Sequence, residues 1–194
     1  MKPGGVDRRV LRTQSALKGA LLSLIPEKGY EAITIQDVLE RANVGRSTFY
    51  LHFGDKDELL RSGIADLREE LRGALKGAAM TGSKPAERLI GFSRFLFEHT
   101  YENREVFWRM GKQGGELVKR AFHQMLVDII NDQAREVLKG KSPAGAPLGL
   151  LAHFAASSFF SVLEWWLEQK RPLPPETIDG IYRSLVLPSL SANL

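Results

Sequence analysis

Residues 43–60, NVGRSTFYLHFGDKDELL, set several side chains suited to gripping a polyanion at helical spacing. Arg46 carries a planar fork of donors that matches the two major-groove acceptors of guanine. Ser47 and Thr48 are short and bear hydroxyls, so a helix built from them can approach a base edge closely. Tyr50 and His52 are long enough to reach phosphate oxygens. Arg46 and Tyr50 lie four residues apart, with Ser47 beside them, and form one outward face. Phe49 and Phe53, also four apart, form a second, inward face, rotated about 100° from Phe49 to Tyr50, and would anchor the segment against Leu17, Leu21, Val38 and Leu39. Lys56 stands in the first turn of the next helix, where the macrodipole disfavours a cation. An external phosphate on the free N–H groups would account for it; so would a solvated lysine offset by Asp55, Asp57 and Glu58.

No rival chemistry is spelled by the sequence. His99, His123 and His153 are too far apart for a helical His-x-x-x-His metal motif, and no nucleophile elbow, phosphate loop or dinucleotide fingerprint is present. GKQGGEL is glycine-rich but lacks the preceding strand and the terminal Lys-Ser/Thr of a nucleotide loop. With no cysteine, disulfides, thiolate metal sites and cysteine nucleophiles are excluded. Neither a catalytic site nor a metal nor a cofactor is expected. The 194 residues are 43% hydrophobic and 26% charged, which is ordinary for a soluble globular chain. No apolar run is expected to reach the roughly 18 residues of a membrane span, and the first residues do not read as a secretion signal. A cytoplasmic protein with no membrane partner is the expectation. Lys2, Arg8, Arg9, Arg12 and Lys18, against Asp7, account for the whole net charge of +4. A basic end of this kind suits a nucleic acid, or it is a solvated tail.

The elements that must position the polar face all read as helix. Val10, Leu17, Leu21, Leu24 and Ile25 mark a first amphipathic helix, expected to stop at Pro26 and Gly29. Thr34 with Asp37 three residues on opens a second helix as a capping box. Val44 and Gly45 make a turn, RSTFYLHF is a very short third helix, and Asp55 with Glu58 caps a fourth carrying Leu59, Leu60, Ile64, Leu67, Leu71 and Leu75. Residues 80–84 read as a connection. Pro85 then begins a fifth helix running to Glu102, and Asn103 caps a sixth that fails at Gly114 and Gly115. A long seventh helix follows, then a mobile loop at KSPAGAP, an eighth helix that is apolar on more than one side, and a ninth over 176–190, closed near Pro188. The expected fold class is all-α, with about nine helices. A short helix, a tight turn and a second short helix make a helix-turn-helix. Its last helix is too short to stand alone, because isolated helices under about 12 residues are marginal in water.

TIQDVLERANVGRSTFYLHFGDKDELL, residues 34–60, resembles the DNA-binding segment of the TetR family of transcriptional regulators. The likeness extends to about 50 residues when ALLSLIPEKGYEAITI is included. It implies that Thr34, Arg46, Ser47, Thr48, Tyr50, His52 and Lys56 line DNA. Gly45 stands where serine is usual and removes a capping hydroxyl; Ser47 stands where glycine is frequent. The resemblance also implies an all-helical regulatory domain with a ligand cavity, and homodimerisation through the last two long helices. The expected organisation is a basic arm over 1–9, a helix-turn-helix domain over 10–60 and a ligand-binding and dimerisation domain over 61–194.

The C-terminal region is rich in rings with a few polar groups among them, namely His99, Tyr101, Gln113, His123 and His153. Such stripes are more often packing than a binding box. A ligand cavity, mostly apolar with a few fixed polar groups, would draw on Phe95, His99, Phe107, Trp108, Met110, Phe122, Met125, His153 and Phe154. Leu151, Phe154, Ala155, Ser158, Phe159, Val162 and Trp166 on the eighth helix, with Ile178, Ile181, Tyr182, Leu185 and Leu190 on the ninth, are the expected dimer surface; a larger monomer core is the alternative. The expected function is a ligand-responsive repressor that binds a palindromic double-stranded operator as a homodimer and is released by a small, largely apolar effector. An activator of the same fold and, further off, a helical small-molecule-binding protein or enzyme are the alternatives.

Overall fold

The computed structural model describes residues 8–77, 84–113, 115–139 and 145–194; the side chains of Met110 and Gln113 are outside that description. Among the described residues the chain is all helix, in ten segments. Residues 1–7 of the expected arm, most of the 80–84 connection, Gly114 and residues 141–144 of the KSPAGAP loop lie outside the described residues.

Helix α1 (Arg8–Lys28) buries Leu17, Ala20, Leu21, Leu24 and Ile25 along one stripe. It does not stop at Pro26, as the sequence suggests, but runs on to Lys28. A proline so near the end forfeits one helical bond and keeps a helical φ. The stop comes from Gly29, at φ 74°, whose N–H donates to the Ile25 carbonyl at 2.9 Å. A left-handed residue there is the ordinary glycine helix end.

Helix α2 (Ile35–Ala42) has the expected capping box, with Thr34 Oγ1 accepting from the Asp37 N–H and Asp37 accepting from the Thr34 N–H. It ends on Asn43 in a left-handed conformation. Helix α3 (Arg46–Tyr50) is only five residues long. Helix α4 (Lys56–Gly77) is begun by Asp55, whose carboxylate accepts from the Glu58 N–H at 2.6 Å. The Glu58 carboxylate reaches back to the Gly54 N–H, one residue before the position a reciprocal box would use.

The stretch expected as one helix from Pro85 to Glu102 is two, α5 (Pro85–Leu89) and α6 (Ser93–Glu102). Ile90 and Phe92 are buried in the break, and the Ser93 hydroxyl donates to the buried Asp179 carboxylate at 2.5 Å. Burying those two side chains and satisfying Asp179 offsets the helical bonds lost. Helices α7 (Arg104–Gln113), α8 (Gly115–Leu138), α9 (Leu148–Glu168) and α10 (Pro175–Asn193) complete the chain. Pro188 does not close α10; the helix continues to Asn193, with Val186 and Leu190 buried on either side of the proline.

Contrary to the expectation from apolar run length, α9 is long and apolar enough, by length and composition, to cross a membrane. Here it packs against α7, α8 and α10. Leu151, Ala152, Ala155, Ala156, Phe159, Leu163, Trp166 and Leu167 are buried among them. Arg104 at the start of α7 donates to the Leu167 and Gln169 carbonyls, at 3.1 and 2.6 Å, and satisfies groups that the end of α9 leaves open.

One long element joins the two ends of the molecule. The first half of α4 packs on α1, where Lys18 and Asp66 pair at 2.5 Å. Its second half is tied to α8 by Arg72–Asp132 at 2.6 Å and Arg68–Asp128 at 3.4 Å. Any movement of α8 relative to α1 therefore pulls on α4.

Candidate nucleic-acid interface and ligand cavities

Phe49 and Phe53 are buried in the core formed with Leu17, Leu21, Val38 and Leu39, and their rings stand 5.9 Å apart. That anchor holds a helix of five residues which could not persist alone. Arg46, Ser47 and Tyr50 are exposed on its other side, and Thr48 is half-buried. Gly45 makes no side-chain cap. A Cβ there would meet only Thr48 Oγ1, at 4.0 Å, so the missing hydroxyl is a matter of chemistry and not of space.

Two residues not singled out from the sequence belong to this face. Gln36, on α2, accepts from Arg46 at 3.3 Å and donates to Glu40 at 2.8 Å, and so braces the guanidinium. Leu51 follows Tyr50 and is 80% exposed, the most exposed large apolar residue described. A thymine methyl is the apolar feature of the major groove. The Gln36 spacing to Arg46 crosses a turn, which no periodicity links.

The remaining members are held by local bonds. Thr34 is exposed at the start of α2, and its hydroxyl is engaged by Asp37. Asp37 also pairs with Lys28 at 2.5 Å. The Lys28 bond first, and then the Thr34 bonds, hold its carboxyl well below the usual range. His52 is half-buried and leans on Phe53. Lys56 does not simply face an external anion. Its ammonium donates to the Tyr30 carbonyl at 2.8 Å and the Ile33 carbonyl at 2.9 Å, and lies 4.3 Å from the Tyr30 ring centre. The Tyr30 hydroxyl in turn donates to Asp57 at 2.5 Å. Burial first, then that bond, pushes the phenol pKa up. Lys56 thus clamps the α1–α2 loop to the start of α4. This explains a cation in a first helical turn without an external phosphate.

The rings expected to line one cavity divide among several environments. Phe107, Phe122 and Met125 line an inner cavity of about 70 Å³ between α6, α7, α8 and α9. Phe107 and Phe122, now with His99, also line a second cavity of about 250 Å³ where α1 and α4 meet α6, α7 and α8. The two phenylalanines, 6.0 Å apart, stand between these spaces. Phe95 stacks on His99 without reaching either wall. Trp108 borders an open hollow with Trp165, Lys112 and Glu168. His153 and Phe154 are corrected: both are exposed on α9, and neither lines these spaces. His153 stands beside His123, whose ring hydrogen-bonds Ser157 at 3.0 Å. The side chains of Met110 and Gln113 lie outside the description. Walls missed from the sequence include Leu96, Thr100, Phe159, Phe160 and Leu163. Thr100, Lys119 and Glu164 are the polar groups among the inner lining, and the last two pair loosely at 3.8 Å.

The expected dimer surface also needs correction. Leu151, Ala155, Phe159, Trp166, Ile178, Tyr182 and Leu190 are buried within the single chain and cannot form its outside. The Tyr182 hydroxyl donates to the Ala155 carbonyl at 3.0 Å, deep in that core. Ser158 and Val162 are half-buried, while Phe154, Ile181 and Leu185 are exposed, joined by Leu150 and Trp165. At 100° per residue, positions 150, 154, 158, 162 and 165 fall on one side of α9, and 181 and 185 on one side of α10.

Residues 19–62 match the family model described as bacterial regulatory proteins, tetR family, and residues 87–186 match a transcriptional regulator C-terminal region. Two uncharacterised HTH-type transcriptional regulators of Bacillus subtilis (strain 168) are similar. YxbF is 27% identical over 177 residues, 89% of this chain and 44% of its own length; YhgD is 28% identical over 195 residues, 97% and 99% of the two chains. The chain thus spans less than half the length of YxbF. The solved TetR transcriptional regulator from Streptococcus agalactiae 2603V is 29% identical, with a TM-score of 0.66 over 93% of this chain and 96% of that one. Several matched curated proteins are described as repressors or negative regulators. With one family match laid over α1 to the start of α4 and the other over α5 to α10, this chain belongs to the TetR family of helix-turn-helix transcriptional regulators, a family of DNA-binding proteins and not of enzymes.

Proposed function

We propose that two copies of this chain bind a roughly palindromic operator as a homodimer, repress transcription by occupying it, and release it when a small, largely apolar molecule enters the C-terminal region. The carrying observation is the strip of exposed Leu150, Phe154, Trp165, Ile181 and Leu185 along α9 and α10. A contiguous exposed apolar face on a soluble domain marks an association surface. A two-fold through it forms a four-helix bundle between copies. A five-residue recognition helix makes few base contacts by itself, so two must be held on the order of 34 Å apart, or more, to read two half-sites.

Arg46, Ser47 and Thr48 face base edges in this reading, and Tyr50, His52 and Thr34 face the backbone. The inner cavity supplies an apolar wall with Thr100, Lys119 and Glu164 as its polar groups. An effector that fills this space bears on the α8 wall through Val118, Phe122, Met125 and Leu126, and one too large for it displaces that wall. Because α8 is tied to α4 by Arg68 and Arg72, that displacement reaches the DNA-binding helices. The effector weakens operator binding only by its differential affinity for the two states.

Leu185, 62% exposed, is the test position. Leu185→Asp places a carboxylate against its own symmetry copy without touching the monomer core. Analytical ultracentrifugation should show a monomer, circular dichroism an unchanged helix content, and an operator found by DNA selection should be bound weakly. A dimeric Leu185→Asp with normal operator affinity would move the interface elsewhere.

A further inference from the structure

We infer that the cavity between α1, α4 and α7 is a second ligand site, one that takes an apolar, ring-sized molecule carrying a cationic group. At about 250 Å³ it is larger than the inner cavity, and it lies where the DNA-binding helices meet the rest of the chain. Its apolar walls come from α1 through Leu21 and Leu22, from α4, and from Val106 and Phe107.

Gly63 shows that this space is left open by the sequence itself. It sits in the middle of α4, half-buried, and a Cβ there would meet nothing within 4 Å. Glycine is the poorest helix former after proline, so alanine or leucine would favour the helix and fill the gap. Gly19 and Gly73 are also unobstructed, but they are exposed and do not line this space.

The charge follows from the same helix. Asp66 and Glu70 lie four apart on α4 and both border the space. Asp66 is engaged by Lys18 at 2.5 Å. Glu70 is exposed and forms no ion pair with the described residues. Lys18 borders the space as well, and its charge is offset by Asp66, so Glu70 is the carboxylate left over. Asn103 and His99 are the remaining polar walls, and His99 is packed between Phe95 and Phe107, with ring centres at 6.0 and 5.7 Å. An ammonium near Glu70, with its ring on Leu21, Gly63 and Val106, matches these groups. Such a ligand touches α1, α4 and α7 together and so fixes the DNA-binding helices against the body of the protein.

The test is titration calorimetry of the DNA-free full chain with 1-naphthylmethylammonium, 1-naphthylmethanol and 1-naphthylacetate, which share a ring and differ in charge. The cation should bind several-fold more tightly than the alcohol, about what one exposed ion pair supplies, and the acetate most weakly. Gly63→Leu should abolish binding while keeping helix content. Glu70→Gln should remove the cation's advantage and leave the alcohol unchanged. Leu163→Phe, which fills the inner cavity, should leave binding intact. Binding that survives Gly63→Leu, or that is lost in Leu163→Phe alone, puts the ligand in the inner cavity and overturns the assignment. Equal binding of cation and acetate, or no heat from any of the three, overturns it as well. The heat of binding is read without operator and at any state of association, so its outcome is separate from the repressor reading.

Discussion

Replacing Lys56 by methionine keeps the length and apolar stem of the side chain and deletes its ammonium. The ammonium makes two charge-assisted bonds, to the Tyr30 and Ile33 carbonyls, and lies over the Tyr30 ring. Bonds to charged groups contribute about 1.5 kcal/mol each at the low end of their range, appropriate for a half-buried donor. The ring contact adds about 0.5 kcal/mol. Freeing the side chain returns on the order of 1 kcal/mol of rotamer entropy. The net loss is about 2 to 2.5 kcal/mol, or roughly 4–10 °C in Tm for a chain of this size. Urea and thermal denaturation followed by circular dichroism measure it. The salt dependence of operator affinity is the second readout, because a lost phosphate contact reduces the slope by about one unit. A Lys56→Met protein of unchanged stability whose salt slope falls by one unit would show that the ammonium serves DNA and not the loop, and would refute the clamp.

Arg46→Ala should cost about 1–3 kcal/mol of operator affinity and relax preference at one base pair, read by DNA selection and sequencing; an unchanged selected motif would remove Arg46 from base reading. Burial first, and then the neighbouring His153, hold the His123 imidazole below its ordinary 6.5. Its contribution to stability is therefore complete above that value and is lost as pH falls through the depressed pKa. Melting temperatures taken down from neutral pH should fall in the wild type and fall less in His123→Asn. The His153→Asn slope should lie between them, since burial is the larger cause; equal slopes in all three would exclude His123 as the titrating group.

The local signals were legible because they rest on neighbours in sequence. Thr34 and Asp37 are three residues apart, so a capping box can be read directly, and the Phe49–Phe53 pair separates an anchoring side from a presented one within a single turn. The face bearing Arg46, Ser47 and Tyr50 follows from the same arithmetic, and each of the three is exposed. Helix ends were less legible. Pro26 and Pro188 punctuate a sequence, but whether a helix stops there depends on whether the next turn has something to bury, and beyond Pro188 Leu190 does.

What the tertiary structure alone decided is which of two apolar sides faces inward. Along α9, positions 151, 155, 159 and 166 and positions 150, 154 and 165 are each apolar at helical spacing, so periodicity identifies the helix without choosing its buried face. The choice is made by α7, α8 and α10 packing on the first set. The cavities have the same origin, since their walls come from helices far apart in the chain, and Phe107 and Phe122 acquire a shared position between two spaces only once α7 and α8 are packed. Lys56 is the clearest instance. Its charge at a helix start is visible in the sequence, but the carbonyls of Tyr30 and Ile33 that accept from it are 26 and 23 residues away, brought within reach only by folding. Sequence carries the period and chemistry of each element; the partner that buries a face or accepts a bond is a property of the packing.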